Sequence, residues 1–315
     1  MFKTCYLVVI GLGAIALAGL WCPTTYASEG GVSTYRLGFN DLNSADLPAP
    51  GTTTMKSLFL YQDGELIADK VKEPEAVDTK TRSYIDMLLV THVTDLTLLG
   101  ARYGFAGLVQ MRVVDRDKGS GPIGSSIALS ENSTVGGFGD SVLYPVLLNW
   151  GFGRVHLLSA LVGYLPTGSY DKKRMVNVGS NRWAIEPRLG MTWKDVERGR
   201  QVSILTGYTV NSRNGATDYR SGDEFHADFA ASQSLPYGIS VGASGYALQQ
   251  TTPDTGTGAL YGGFRQRVIG LGPLVSETFK VAGHPLCLTF KYDFEVFDQN
   301  RSSGNALWFN AALTL

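Results

Sequence analysis

The stretch Arg182–Trp193 alternates between apolar side chains and polar or small ones. The apolar set is Trp183, Ile185, Pro187, Leu189, Met191 and Trp193. Because successive side chains of a β-strand point to opposite faces, this alternation gives a strand one apolar and one polar surface. Tryptophans close both ends of the apolar face, about ten residues apart, which matches the length and aromatic girdles of a strand that crosses a bilayer. The stretch therefore predicts membrane-spanning β-structure.

The overall composition fits a barrel of such strands. The chain has 315 residues, of which 44% are hydrophobic and 17% are charged, and its mean hydropathy is zero. A bundle of transmembrane helices would have a far higher mean hydropathy, whereas alternating strands average out. The formal net charge of −1 lacks the basic excess that nucleic-acid binding requires.

The N-terminus predicts a secretory signal peptide over residues 1–27. Lys3 is its one charged residue, a long apolar run follows, and Thr25-Tyr26-Ala27 suits cleavage before Ser28. A retained membrane helix is the alternative, and Pro23 argues against it. An exported chain of alternating strands, with no second apolar run long enough for a helix that spans the bilayer, indicates the bacterial outer membrane.

The chain after the signal peptide divides into two predicted parts. Residues 28–55 are too irregular for a strand and form a periplasmic lead-in, a plug that enters the lumen or a disordered tail. Residues 56–315 predict an all-β fold, a transmembrane antiparallel up-and-down β-barrel of about twelve strands of the outer-membrane type. The predicted strands are Lys56–Ala68, Arg82–Leu96, Tyr103–Arg116, Asp140–Trp150, Val155–Leu165, Arg182–Trp193, Gln201–Asn211, Glu224–Ser234, Ile239–Gln249, Tyr261–Leu271, Leu286–Phe297 and Asn305–Leu315.

Long polar connections alternate with short ones, as the outer loops and periplasmic turns of such barrels do. The connection Gly272–Pro285 breaks this rhythm unless strand ten continues to about Phe279. Val275, Thr278 and Phe279 are good strand formers and favour that continuation.

Charged residues on the polar faces are expected to point into the lumen, because lipid-facing charges are costly. Between strands ten and eleven they are expected to form salt-bridge ladders, whereas Glu186 and Arg188 are expected to line the passage. The alternative is that acidic and basic residues gather on opposite walls of an open pore. The predicted lumen residues are Arg112, Glu186, Arg188, Asp228, Arg265, Arg267, Lys291, Asp293 and Glu295.

Catalytic and metal-binding interpretations find little support in the sequence. Among the four histidines, His226 alone shares its predicted face with carboxylates, those of Glu224 and Asp228, and no histidine sits in a recognisable nucleophile motif. The scattered histidines and Cys287, the one thiol outside the signal peptide, do not make a metal site. We expect neither catalytic activity nor a cofactor, while a barrel enzyme that acts on lipid remains an alternative.

Several motifs resemble one family of outer-membrane proteins. They are Glu29-Gly30-Gly31, Leu47-Pro48-Ala49-Pro50-Gly51, Gly139-Asp140 with Pro145, Pro166-Thr167-Gly168-Ser169-Tyr170, the spaced run Asn177, Gly179, Asn181 and Trp183, and Gly304. On these residues the chain resembles the family associated with the meta-pathway of phenol degradation, a broad group that includes the amyloid-export channels of pseudomonads. The resemblance implies a channel that moves small, often aromatic or hydrophobic, compounds across the outer membrane. Export of an amyloid-like polypeptide is the alternative, and the lack of a long coiled-coil segment before the barrel disfavours it.

The loop after strand five has two interpretations. Pro166–Tyr170 is a sharp structural corner, because proline presets φ and glycine supplies positive φ. The alternative is that the loop folds inward and narrows the pore through Tyr170, Lys172, Lys173 and Arg174. Expected partners are outer-membrane lipids and a small-molecule solute; the oligomeric state stays open, with a trimer among the possibilities.

Overall fold

The structure is a computed structural model that describes residues 29, 33–66, 79–117, 133–174, 176–259, 263 and 265–315. The predicted signal peptide lies outside these ranges. Within them, no helix has both the length and the apolar character needed to cross a membrane.

The described residues form one closed antiparallel sheet. The strand segments are β1 Thr53–Leu66, β2 Thr79–Leu98, β3 Ala101–Arg116, β4 Ser133–Phe138, β5 Ser141–Phe152, β6 Val155–Leu165, β7 Ala184–Asp195, β8 Arg200–Asn211, β9 Glu224–Ser234, β10 Ile239–Gln250, β11 Arg267–Val281, β12 His284–Gln299 and β13 Ser303–Thr314. The sheet order runs from β2 through β1 and β13 round to β5 and β3, and pairing between β2 and β3 closes the ring.

Strands β4 and β5 share one position in the wall. β4 pairs with the later half of β3, and β5 pairs with its earlier half. Gly139 and Asp140 interrupt the strand between them. The wall therefore has twelve positions, as predicted, but the predicted loop over residues 117–139 was wrong for residues 133–138, which form β4.

The predicted faces of β7 are confirmed. Glu186 and Thr192 are fully buried and Arg188 is 4% exposed, whereas Ile185 is 49% and Leu189 65% exposed. The exposed apolar side faces lipid, because an outer-membrane barrel carries its apolar band on the outside.

Strand β11 corrects one predicted boundary and confirms another. The strand starts at Arg267 and not at Tyr261, which lies outside the described residues, and it continues past Phe279 to Val281. It turns at Ala282 and Gly283, with φ of 49° and 86°. Two successive positive φ values make the type I′ turn whose twist suits a tight hairpin.

Candidate functional site

The N-terminal segment, residues 33–50, lies inside the barrel. Tyr35, Leu37, Phe39 and Ala45 belong to one buried apolar cluster with inward-facing wall residues. That cluster includes Leu158, Ala160, Val162 and Tyr164 of β6. The inner face of β6 is therefore apolar because it packs against this segment, which explains why β6 is apolar on both faces.

Charged wall residues hold the middle of the segment. The Asp228 carboxylate accepts hydrogen bonds from the Tyr35 hydroxyl and from the backbone N–H of Asn40, the latter at 3.0 Å. The Lys291 ammonium donates to the carbonyls of Gly38 and Asn40. Asp228 is 2% exposed and Lys291 fully buried. These two predicted lumen residues therefore bind the segment and do not line an open pore.

The periplasmic end of the segment is fixed by ion pairs of its own carboxylates. Asp46 lies 3.3 Å from Arg102 and 2.5 Å from Lys194. Asp41 lies 3.4 Å from Lys56 and accepts from the Asn310 amide at 2.7 Å.

Glu29, the first residue that the structure describes, contacts the outer loops. The Glu29 carboxylate accepts hydrogen bonds from Asn214 at 3.0 Å and from Thr217 at 2.7 Å, both in loop 212–223. Asp218 of the same loop accepts from the hydroxyl and the N–H of Thr257, which lies between β10 and β11. These hydrogen bonds and the neighbouring Arg213 lower the pKa of the Asp218 carboxyl to about 2.

A buried network surrounds Glu186. Its carboxylate ion-pairs with Arg188 and accepts from Tyr164 at 2.7 Å and from Thr209 at 2.8 Å. His226 Nε2 lies 2.9 Å from the same carboxylate. The His226 ring is fully buried and stacks on Tyr35 of the segment, with 3.6 Å between centroids. Glu186 and Arg188 thus pair directly with each other, next to the N-terminal segment.

Asp140 anchors loop 166–183 at the break between β4 and β5. Its carboxylate accepts from the N–H of Gly168 at 2.9 Å and from the N–H of Ser180 at 2.7 Å. Gly168 and Gly179 pack backbone to backbone, so that a Cβ on Gly179 would lie 2.6 Å from the Gly168 carbonyl carbon. The Gly139-Asp140, Pro-Thr-Gly and Asn-x-Gly motifs therefore build one junction.

Gly179→Ala is expected to loosen this junction, because overpacking costs about 1–3 kcal/mol. Trypsin cleavage at Lys172–Arg174, followed on gels of the folded protein, should then accelerate about tenfold. Gly163→Ala is the matched control, since a Cβ there meets no atom within 4 Å. Equal cleavage rates in both variants would contradict the close packing of the two glycines.

A cavity of about 280 Å³ lies in the outer half of the lumen, between the segment, the wall and loop 166–183. Its apolar and aromatic lining includes Phe39, Met87, Leu108, Val142, Tyr144 and Tyr164. Its cationic lining is Arg36, Arg112, Arg116, Lys172, Arg174, Arg182 and Arg188. Tyr170 also lines it, whereas Lys173 is exposed and lies outside the lining.

Comparison with known proteins identifies the family. The family described as "Putative MetA-pathway of phenol degradation" matches residues 68–311. The chain belongs to this family. No curated protein matches the sequence at a significant level.

Two solved structures align with most of this chain. The COG4313 outer membrane channel from Pseudomonas putida F1 is 16% identical, with a TM-score of 0.65 over 86% of this chain and 98% of that one. The translocator domain of the autotransporter NalP from Neisseria meningitidis is 12% identical, with a TM-score of 0.44 over 86% of this chain and 91% of that one. The first match supports the fold, that of an outer-membrane β-barrel.

Two of the predicted lumen residues, Arg265 and Arg267, do not point into the lumen of this barrel. Arg265 is exposed and precedes β11. Arg267 falls on the outward side of β11, opposite in phase to the buried Val268, and donates to Gln249. The expected ladder with β12 was wrong because charge alone does not place an arginine on the inner face: Arg265 precedes β11, and Arg267 is the first residue of the strand, at its loop end.

The predicted β12 residues do point inward but have other partners. Asp293 is fully buried and accepts from Ser244 at 2.8 Å. Glu295 lies 3.0 Å from Arg301 and accepts from the N–H of Gly304 at 2.9 Å.

Tyr144, Tyr164 and Arg36 are among the cavity residues that sequence analysis missed. Tyr144 and Tyr164 lie on the inner faces of β5 and β6, where the apolar composition of both faces concealed the phase. Arg36 lies in the irregular N-terminal segment, which has no period to interpret.

Proposed function

We propose that this chain is an outer-membrane channel for the passive uptake of small hydrophobic compounds, aromatic ones among them, and that it is not an enzyme. The outer cavity supports this proposal most directly. At about 280 Å³ it is close to the lower end of the roughly 300–1,000 Å³ of small-molecule sites. Its aromatic and aliphatic lining suits one small ring compound.

In this proposal residues 33–50 act as a plug below the cavity. Their apolar side chains fill the lumen among the wall residues, so a solute that leaves the cavity towards the periplasm requires the segment to move. The polar contacts between the segment and the wall are separate from one another, at Asp46, Asp228 and Lys291. Each of them can break without unfolding the wall.

Two other functions fit the geometry less well. A secreted polypeptide needs a lumen free along its whole length, and here the segment occupies it. Catalysis by His226 requires the ring to meet a substrate, but the ring is buried between Tyr35 and Glu186.

Uptake by Gram-negative cells with and without the protein tests the proposal. Radiolabelled toluene and phenol at low concentration should accumulate several-fold faster in expressing cells. Inositol, a polar solute of similar size, should accumulate at an unchanged rate. Equal stimulation of all three would identify a general porin, and no stimulation of the aromatic compounds would contradict the proposed channel.

A further inference from the structure

The outer cavity carries more positive than negative charge among the described residues. Its carboxylates are Glu29 and Asp140. Asp140 is engaged by the backbone of loop 166–183, and Glu29 binds loop 212–223 and lies 4.0 Å from Arg182. Arg188 is neutralised by Glu186. Seven cations therefore line the cavity against these two carboxylates, of which Asp140 also attracts Arg36 and Arg112 electrostatically.

Arg112 is the cation that points most clearly to a ligand. Its side chain projects inward from β3 and is 7% exposed. One terminal nitrogen donates to the Ser83 hydroxyl at 3.2 Å. Its Nε is buried, and no described residue offers that N–H an acceptor or forms an ion pair with the guanidinium. A buried cation with an unused donor is costly unless an anion meets it.

A second arginine stands beside the same space. Arg36, from the N-terminal segment, lines the outer cavity together with Arg112. Both also line a smaller adjoining cavity of about 90 Å³. Arginine presents a planar fork of N–H donors that matches a carboxylate in two parallel hydrogen bonds.

Part of the cavity wall around these arginines is apolar. On the inner face of β3, Val114 follows Arg112, and Gln110 and then Leu108 precede it. Val142 of β5 and Val178 of loop 166–183 add to the apolar lining. Such a surface binds the hydrocarbon part of a ligand through burial of apolar area. A ligand that pairs with the arginines and also contacts the apolar lining carries one anionic group on a small apolar body.

We propose that the outer cavity binds small hydrophobic monocarboxylates, aromatic acids in particular, with the carboxylate held by Arg112 and Arg36. This inference rests on the proposed channel function and narrows its substrate class. The arginines draw the anion into the lumen from the loop end, and the apolar wall distinguishes a ring from a small hydrophilic anion.

Binding to the purified full-length barrel in detergent, measured by equilibrium dialysis at neutral pH, tests this assignment. Radiolabelled benzoate should bind at least tenfold more tightly than benzamide, which has nearly the same shape and no charge. It should also bind at least tenfold more tightly than acetate, which has the charge and no ring. Equal affinity for benzamide would overturn the anion site, and equal affinity for acetate would overturn the apolar half.

Arg112→Gln should weaken benzoate binding about ten- to hundredfold, because charge-assisted hydrogen bonds are lost, and should leave benzamide binding unchanged. Arg112→Lys should retain part of the affinity. Arg267→Gln is the matched control, since Arg267 lies on the outer face, and native mobility on unheated gels checks folding. Unchanged benzoate affinity in a folded Arg112→Gln barrel would overturn the proposal, while toluene uptake reports separately on the channel.

Discussion

Replacing Glu186 with leucine is expected to lower the free energy of unfolding by about 3–5 kcal/mol, because Arg188 becomes a buried charge without its carboxylate. Glu186 is fully buried and also accepts from Tyr164 and Thr209. In the variant the hydroxyls of Tyr164 and Thr209 lose this acceptor, and an unpaired buried donor adds to the loss of stability. Urea unfolding of the barrel in lipid vesicles, followed by tryptophan fluorescence, measures the change.

Two further variants make this prediction specific. Glu197→Leu breaks an ion pair with Arg154 in which Glu197 is 80% exposed, and it should cost less than about 1 kcal/mol because surface pairs contribute little. The double variant Glu186→Leu/Arg188→Leu removes both charges and should recover much of the loss. A cost for Glu186→Leu no larger than that for Glu197→Leu would show that the network does not stabilise the fold.

The strand phases could be predicted where the two environments of a strand differ in polarity. β7 and β12 have lipid on one side and buried charge networks on the other, so alternation is visible in the sequence. β6 has lipid on one side and the apolar N-terminal segment on the other, and its phase is hidden for that reason. The twelve-strand count depended on most strands being of the first kind.

The end of β11 was hard to place from the sequence because Gly272 and Pro273, in the middle of the strand, resemble a loop. The structure gives Gly272 another role, since the backbone carbonyl of Tyr292 on β12 lies where a Cβ would project. Pro273 sits on the outward side of the strand beside it. Close approach of two backbones is a property of the pair of strands, and one strand's sequence does not reveal it.

The lumen contacts depend on residues far apart in the chain. Tyr35 and Asp228, which share a hydrogen bond, are 193 positions apart. The segment has no regular structure and therefore no period, so lead-in and plug remained equal alternatives in the sequence. The missing acceptor of Arg112 likewise depends on which strands and loops surround it.

A disulfide between the N-terminal segment and the wall is expected to abolish uptake of aromatic compounds. A Cβ on Gly190 of β7 would lie 3.0 Å from the Cβ of Ala45, so a small outward shift reaches the roughly 3.5–4.5 Å of a disulfide. The variant combines Ala45→Cys and Gly190→Cys with Cys287→Ser, which removes the free thiol. After oxidation, toluene uptake by cells should fall to the level of cells that lack the protein, and a reductant should restore it.

Two controls distinguish the effect of tethering the N-terminal segment from other effects of the oxidant on uptake. Ala45→Cys in the Cys287→Ser background cannot form the tether and should transport normally with oxidant. Cysteines at Ser57 and Ala311, register partners on β1 and β13, would tie wall to wall and should leave uptake intact. Loss of uptake in the Ala45–Gly190 variant alone requires the segment to move during passage, because its apolar side chains fill the lumen below the cavity. Continued uptake with the tether fully formed would contradict passage along the lumen and would require an exit through the barrel wall.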